Sequence, residues 1–159
     1  MLHQALKYMK ETYLPFWYNH TLPIKSSKAD EVAEEFRISE KLIQALWNEP
    51  KYLPKNLIDH RGHQVKVISR GTWNREPGPD FRKAQVEIDG QLKYGDIEIH
   101  LLPEYWNSHG HQYDPNYQNV ILHVVWENIH NRHIPPNIPL LELKEQLTIP
   151  LDKIYSLIQ

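Results

Sequence analysis

The sequence predicts an α/β domain in which a mixed β-sheet is flanked by helices. Three observations predict it. Apolar residues first recur with a helical period, then alternate with polar residues along three successive segments, and finally form the unbroken run 120-VILHVV-125. A period of 3.6 indicates a helix, a period of two indicates strands, and the unbroken run is typical of a strand buried on both faces. The predicted order is helix, strand, strand, strand, short helix, strand.

The helical pattern lies between the first aromatic segment and a proline-containing stretch. Asp30 is a residue type that caps helices, and the prolines in 49-EPKYLP-54 end the pattern. We expect one helix, or two helices that break near Ser39. Its two apolar faces comprise Val32, Ala33 and Phe36 before the break, and Ile43, Leu46 and Trp47 after it.

The strand patterns follow the helix. The first is centred on 65-VKVI-68, and the next two form a hairpin that Asp89-Gly90 closes, because this pair adopts the positive φ angles of a tight turn. A short helix is expected within 102–119. A short edge strand at 140-LLEL-143 and a closing helix after Pro150 complete the prediction.

The composition fits a single globular domain. The 159 residues are 40% hydrophobic and 24% charged, which is enough to bury a core. No apolar run approaches the roughly 18 residues of a membrane span, and the first residues lack a signal peptide's apolar stretch, so we expect a cytoplasmic protein that does not enter a membrane. The lack of cysteine excludes disulfides and thiolate zinc sites, and a net charge of -2 argues against a non-specific nucleic-acid coat.

Three segments are expected along the chain. Residues 1–28 form an N-terminal extension, 29–145 the α/β domain, and 146–159 a C-terminal helix or tail. The aromatic residues of the extension are candidate contacts with the domain or with a second subunit, which makes a homo-oligomer one expected state.

The first candidate site lies on the hairpin. Glu98 and His100 are two residues apart on a strand, so their side chains leave the same face, and Asp80 lies at the start of the partner strand. Two carboxylates brought together in this way suit Mg²⁺ or Mn²⁺, and such an ion can polarise a phosphoryl oxygen and activate water. The alternative is a solvated acidic face without a ligand.

The second candidate site uses histidines, because six of the ten lie between residues 100 and 133. His109 and His111, with His100 before them and His123 after, could form an imidazole site for zinc, iron or manganese. Gly110 would let the backbone bend so that both flanking rings turn inward. A surface His-x-His and a core role for His123 are the alternatives; if either loop histidine folds over the acidic face, the two sites are one.

Basic residues border the turn 78-GPDF-81 and are candidate contacts to the phosphates of nucleic acid, with a solvated surface as the alternative. They are Arg70, Arg75, Arg82 and Lys83.

The order of elements, together with Pro79-Asp80 and Glu98-Ile99-His100, resembles the PD-(D/E)XK nuclease superfamily, which has the restriction-endonuclease-like fold. The resemblance implies that Asp80 and Glu98 hold a divalent ion, with His100 where the family has a lysine. It also implies an acid from the first helix, for which Glu40 is the first candidate and Glu35 the second. His100 would then bind metal or orient water, and His109 or His111 would protonate the leaving oxygen.

A closer resemblance is to an uncharacterised bacterial family, a domain of unknown function, over residues 38–143. It rests on several fixed spacings at once. The matching residues are Glu40, Trp47, Gly71, Asn74, 78-GPDF-81, Ala84, 95-GDIEIH-100, Trp106, His109, His111, Asp114, Tyr117 and 120-VILHVV-125.

The sequence thus favours a metal-dependent phosphodiesterase that acts on DNA or RNA with Mg²⁺ or Mn²⁺, and zinc is less favoured. Two other functions stay open. One is a non-catalytic nuclease-fold domain that binds nucleic acid or protein, and the other is a histidine-liganded metalloenzyme that acts on a small molecule.

Overall fold

A mixed β-sheet of seven strands organises the fold. The computed structural model of the chain describes residues 22–23, 37–129 and 134–156. The predictions for the aromatic extension, for the helical face before residue 37 and for His130 and His133 lie outside the described residues. Within the described part, no helix has the length and apolar character that a membrane span requires.

The elements follow one another in short steps along the chain. The strands are β1 (Leu22–Pro23), β2 (Arg37–Ile38), β3 (Asn56–Ile58), β4 (Gln64–Ser69), β5 (Thr72–Trp73), β6 (Phe81–Ile88), β7 (Gln91–His100), β8 (Val120–Val125) and β9 (Leu140–Glu142). The helices are α1 (Glu40–Asn48), α2 (Tyr105–Ser108) and α3 (Leu151–Ser156), with 3-10 turns at Pro50–Tyr52, His111–Tyr113, Pro115–Tyr117 and Lys144–Gln146.

The sheet combines an antiparallel half with a parallel half. Its strand order is β3-β4-β6-β7-β8-β9, and β5 pairs with β6. The pairs from β3 to β7 are antiparallel, whereas β8 runs parallel to β7 and to β9. A parallel neighbour requires a crossover connection, which α2 and the two following turns provide. The predicted α/β class with a mixed sheet is confirmed.

The hairpin of β6 and β7 forms where the sequence predicts it. Asp89 and Gly90 have φ angles of 46° and 79°, and Ile88 pairs with Gln91 across the turn. Two successive positive φ angles give the turn whose twist matches the flanking strands.

Helix α1 begins directly after Ser39, near which the sequence predicts a break between two helices. Arg37 and Ile38, which were expected to be helical, form strand β2 instead. The Ser39 hydroxyl accepts a hydrogen bond from the backbone N–H of Leu42 at 3.3 Å and so caps the helix. The helix buries Ile43 and Trp47 completely in the core that it forms with the sheet.

A β-bulge interrupts β6 close to its start. The register with β7 shifts between Phe81 and Ala84, and Lys83 has a φ angle of 58°. The backbone N–H of Lys83, which leaves the regular ladder, donates to a carboxylate oxygen of Asp96 at 3.0 Å. Bulges of this kind redirect neighbouring side chains, and this one lies three residues after Asp80.

Candidate metal centre

Strand β7 forms the base of the candidate site. Glu98 and His100 project from one face of the strand, as predicted, and only 5% and 1% of their surfaces are exposed. A solvated acidic face is therefore excluded for these two residues. A buried carboxylate is retained where it has specific partners.

Asp80 connects the start of β6 to β7 and to α1. One carboxylate oxygen accepts from the side-chain amide of Gln44 at 2.7 Å, and the other accepts from the backbone N–H of Ile99 at 2.9 Å. The backbone N–H of Asp80 donates to Oε2 of Glu98 at 3.1 Å. The two predicted carboxylates thus lie at one site.

The turn before Asp80 is fixed by Asn74. Its backbone N–H donates to the carbonyl of Asp80 at 2.6 Å, and its side-chain amide donates to the carbonyl of Pro79 at 3.0 Å. Asparagine commonly stabilises turns in this way, because its short side chain can bond the nearby backbone.

Three atoms that can bind a metal ion lie close together, and one of them belongs to Glu98. Its Oε1 lies 3.3 Å from Nε2 of His100 and 3.3 Å from Nε2 of His111. The two Nε2 atoms are 3.2 Å apart, so the three atoms form a nearly equilateral triangle. Because His111 reaches Glu98, the predicted carboxylate site and the predicted histidine site are a single site.

His109 completes the histidine cluster from the solvent side. Ligand nitrogens of His100, His109 and His111 all lie within 4.8 Å of one another, and of the three only His109 is classed as exposed. Gly110, between the two loop histidines, has a φ angle of 76°, and each of their rings lies about 5 Å from that of His100. The predicted inward bend at Gly110 is confirmed.

His123 lies behind His100 and outside this cluster. Its Nε2 is 2.9 Å from Nδ1 of His100, and its side chain is completely buried in β8. The expected core role of His123 as a hydrogen-bonded residue is thus confirmed. The structure groups His100, rather than His123, with the two loop histidines.

Aromatic residues hold the loop that carries His111. The ring of Tyr117 stacks on that of His111 with centroids 3.8 Å apart and planes 19° apart. The buried ring of Trp106 meets His111 edge-on at 5.5 Å. Stacking and burial restrict the rotamers of His111, which favours a fixed position for its Nε2.

Burial strongly perturbs the two carboxylates. Burial, reinforced by the charge of Glu98, raises the pKa of Asp80 to about 7. Burial, reinforced by the charge of Glu40, raises the pKa of Glu98 to about 8. Ionised forms of both groups are costly without a nearby positive charge, which is the situation that a bound cation relieves.

The environment of His100, His111 and His123 favours their neutral form. Burial and the neighbouring imidazoles lower the pKa of His100 well below its usual value, and burial lowers that of His111. Burial, with a contribution from His111, lowers the pKa of His123 to about 3. A neutral imidazole has the lone pair that a metal ligand needs.

Helix α1 supplies two further charges. The charge of Glu40 raises the pKa of Glu98, and the positive charge of Lys41 lowers the pKa values of both Asp80 and Glu98 against the effect of burial. The Lys41 ammonium also donates to the side-chain oxygen Oε1 of Gln44 at 3.0 Å.

Sequence reasoning missed both Lys41 and Gln44. The available signal for Gln44 is its position, since it is a polar residue within the buried stretch Leu42–Trp47 of α1.

The predicted basic residues surround the turn without entering the cluster of Glu98. The guanidinium carbon of Arg70 lies 5.8 Å from the ring centre of Trp47, and Arg82 donates to the carbonyl of Pro77 at 3.0 Å. Arg75, Arg82 and Lys83 are exposed.

Comparison with known families identifies the group to which the chain belongs. A family model described as "Protein of unknown function (DUF2851)" matches residues 40–159. The chain belongs to the DUF2851 family. The DUF2851 match begins at Glu40, the first residue of α1, and includes every residue of the candidate site. It confirms the predicted membership in an uncharacterised family. No curated protein and no solved structure matches the chain.

Proposed function

We propose that this DUF2851 member is a metal-dependent phosphodiesterase with a nuclease-like core that acts on nucleic acid. The triangle of Glu98 Oε1, His100 Nε2 and His111 Nε2 carries the proposal, since its edges measure 3.2 to 3.3 Å. Ligands that bind an ion at about 2.0 to 2.1 Å in tetrahedral geometry are about 3.3 Å apart. The donor atoms therefore have the spacing of a metal site.

The arrangement of elements supports the nuclease-like part of the proposal. Helix α1 precedes the antiparallel strands β4, β6 and β7, with the short strands β3 and β5 among them, and α2 leads to β8, which is parallel to β7. Asp80 lies directly before β6, and Glu98 and His100 lie on β7. This is the order in which the restriction-endonuclease-like core presents its acids.

The donor set favours particular ions. Two neutral imidazoles with one carboxylate suit Mn²⁺ or Zn²⁺, whereas Mg²⁺ prefers oxygen ligands and fits this triangle less well. Such an ion, when bound, supplies a Lewis acid that stabilises negative charge on a phosphoryl oxygen. Glu98, His100 and His111 would hold it, and Asp80 would orient Glu98 through its backbone N–H.

The remaining residues take roles that follow from their exposure and charge. His109 is exposed to solvent beside the cluster, so it can exchange a proton with water and donate it to a leaving oxygen. His100 is neutral and cannot replace a lysine as a cation. Lys41 carries the positive charge that acts on both carboxylates, and we assign to it the role of attracting the phosphate group of the substrate. Arg75, Arg82 and Lys83 would contact the nucleic-acid backbone.

A second candidate function is a metalloenzyme for a small molecule. The grouping of His100, His109 and His111 within 4.8 Å favours it, because three imidazoles are a common ligand set of catalytic zinc. Cleavage of a small phosphoester without cleavage of DNA or RNA would support this second function.

The test compares cleavage of labelled single-stranded DNA, duplex DNA and RNA by three proteins in Mn²⁺ or Zn²⁺. They are the wild type, Glu98→Gln and the matched control Glu87→Gln, which removes the same charge from a half-buried position on β6. We expect wild-type cleavage that a chelator abolishes, at least about a hundredfold loss in Glu98→Gln because a metal ligand is removed, and little change in the control.

Cleavage by Glu98→Gln at the wild-type rate would contradict the proposal. Metal-independent binding of nucleic acid without cleavage would favour the non-catalytic domain instead.

A further inference from the structure

His100 stands between two groups of residues and offers one ring nitrogen to each. Its Nε2 lies 3.3 Å from Glu98 and 3.2 Å from His111, whereas its Nδ1 lies 2.9 Å from Nε2 of His123. An imidazole that binds a metal through one nitrogen keeps its proton on the other. If Nε2 of His100 is the ligand atom, the proton between His100 and His123 belongs to Nδ1 of His100, and His123 is the acceptor.

His123 occupies a buried position in a strand of apolar residues, where an apolar side chain would be enough to fill the core. The residue lies in the buried strand β8, and its backbone pairs with Glu98 on one side and with Leu140 on the other. Within the described part of the chain, Nδ1 of His123 is buried and has no hydrogen-bond partner. A buried polar atom without a partner destabilises the fold, so core packing alone does not account for a histidine here.

We propose that His123 is a positioning residue, which accepts a hydrogen bond from Nδ1 of His100 and thereby keeps Nε2 of His100 available to a zinc- or manganese-class ion. This inference rests on the metal site of the proposed function and is independent of the reaction at that site. His123 touches no ion itself. It fixes the tautomer and the ring orientation of the ligand, which is the usual role of a hydrogen-bond partner behind a metal-binding histidine.

The test measures Zn²⁺ and Mn²⁺ affinity by calorimetry for the wild type, His123→Leu and His123→Gln. Leucine fills the space without an acceptor, whereas the glutamine side chain places its oxygen near the position of Nε2. We expect a tenfold to hundredfold loss of affinity in His123→Leu and a change of less than about threefold in His123→Gln. The control is His63→Gln, since His63 pairs with Asp59 and Asp89, which are not residues of the site.

Unchanged affinity in His123→Leu would overturn the inference, as would an equal loss in the leucine and glutamine variants. If His123→Leu does not fold, the tautomer of His123 in the wild type still tests the inference. Long-range ¹H–¹⁵N spectra of the zinc-loaded protein should show His123 protonated at Nδ1 and unprotonated at Nε2. A proton on Nε2 of His123 would overturn the inference.

The two proposals fail in different ways. A wild type that binds the ion and shows the predicted tautomer, yet cleaves no phosphodiester, overturns the proposed function and supports the role of His123. A wild type that binds neither Zn²⁺ nor Mn²⁺ overturns both. A wild type that cleaves nucleic acid while His123→Leu binds metal normally overturns only the role of His123.

Discussion

At the scale of single residues, Asp59 shows how one carboxylate organises a turn. It follows β3, and its side chain is completely buried. One oxygen accepts from the backbone N–H groups of Arg61 and His63 at 2.9 and 2.8 Å, and the other lies 3.0 Å from Nδ1 of His63. Burial alone would raise the pKa of Asp59, but the hydrogen bonds from His63 and Arg61 outweigh it, so the pKa is lowered.

The lowered pKa has a definite sign for stability. A carboxyl group whose pKa is lower in the folded state than in the unfolded state stabilises the fold at pH values above its unfolded-state pKa. This stabilisation is lost as the pH falls through the folded-state pKa. For Asp59 the loss therefore occurs below the ordinary value of 3.8.

We predict that Asp59→Ala lowers the free energy of unfolding by about 2 kcal/mol near pH 7, because two backbone N–H groups lose a charged acceptor. The difference from wild type should shrink as the pH falls below about 3.8. Urea denaturation across this pH range measures it. Asp59→Asn, which keeps one acceptor oxygen, should lose less. A difference that stays constant into acid would contradict the lowered pKa.

The same scale shows what could be predicted of the site. Glu98 and His100 could be assigned to one face because strand geometry fixes the direction of alternate side chains. Gln44 could not be linked to Asp80, since the two are 36 residues apart and their contact depends on how α1 packs on the sheet. No local pattern encodes that packing.

At the scale of elements, the loop from α2 to β8 brings His109 and His111 to residues that β7 already holds. Gly110 has a φ angle of 76°, and a Cβ atom there would meet no atom within 4 Å. Gly90, in the β6–β7 turn, is equivalent in both respects, with a φ angle of 79°. The two positions separate the effect of backbone strain from the effect on the site.

We predict that Gly110→Ala and Gly90→Ala each destabilise the protein by about 1 to 2 kcal/mol, the usual strain of a left-handed alanine. Only Gly110→Ala should also weaken Zn²⁺ binding, since it moves the histidines on both sides. Chemical denaturation and calorimetry measure the two effects. Equal Zn²⁺ affinity in both variants would show that His111 does not hold the ion.

The strength of a local signal decides which elements the sequence reveals. The β6–β7 hairpin could be predicted because long alternating strands flank a turn with its own residue preference. Strands β3 and β5 were missed, since they have three and two residues and are too short to show a period. Their pairing depends on the longer strands beside them.

At the scale of the whole molecule, a bound ion should stabilise the native state. At a hundredfold excess over the dissociation constant, binding contributes about 2.7 kcal/mol to the free energy of unfolding. We predict that Zn²⁺ or Mn²⁺ raises Tm by roughly 5 °C or more, and that Mg²⁺ does so less, because of its preference for oxygen ligands.

A thermal-shift titration of wild type, His111→Ala and His63→Ala measures this effect. The shift should disappear in His111→Ala and persist in His63→Ala. A shift with Mg²⁺ equal to that with Mn²⁺ and Zn²⁺ would contradict the mixed carboxylate and imidazole site.

The division of the sheet into an antiparallel and a parallel half bears on the kinetics of folding. The connections that join β4, β6 and β7 are shorter than the crossover from β7 to β8, which therefore has the greater cost in loop entropy. Glu98 and His100 lie on β7, in the antiparallel half, which can form early. His111 lies in the crossover and His123 on β8, so both join the site later. The complete site would then exist only after the transition state, so a bound ion would slow unfolding and leave the folding rate nearly unchanged.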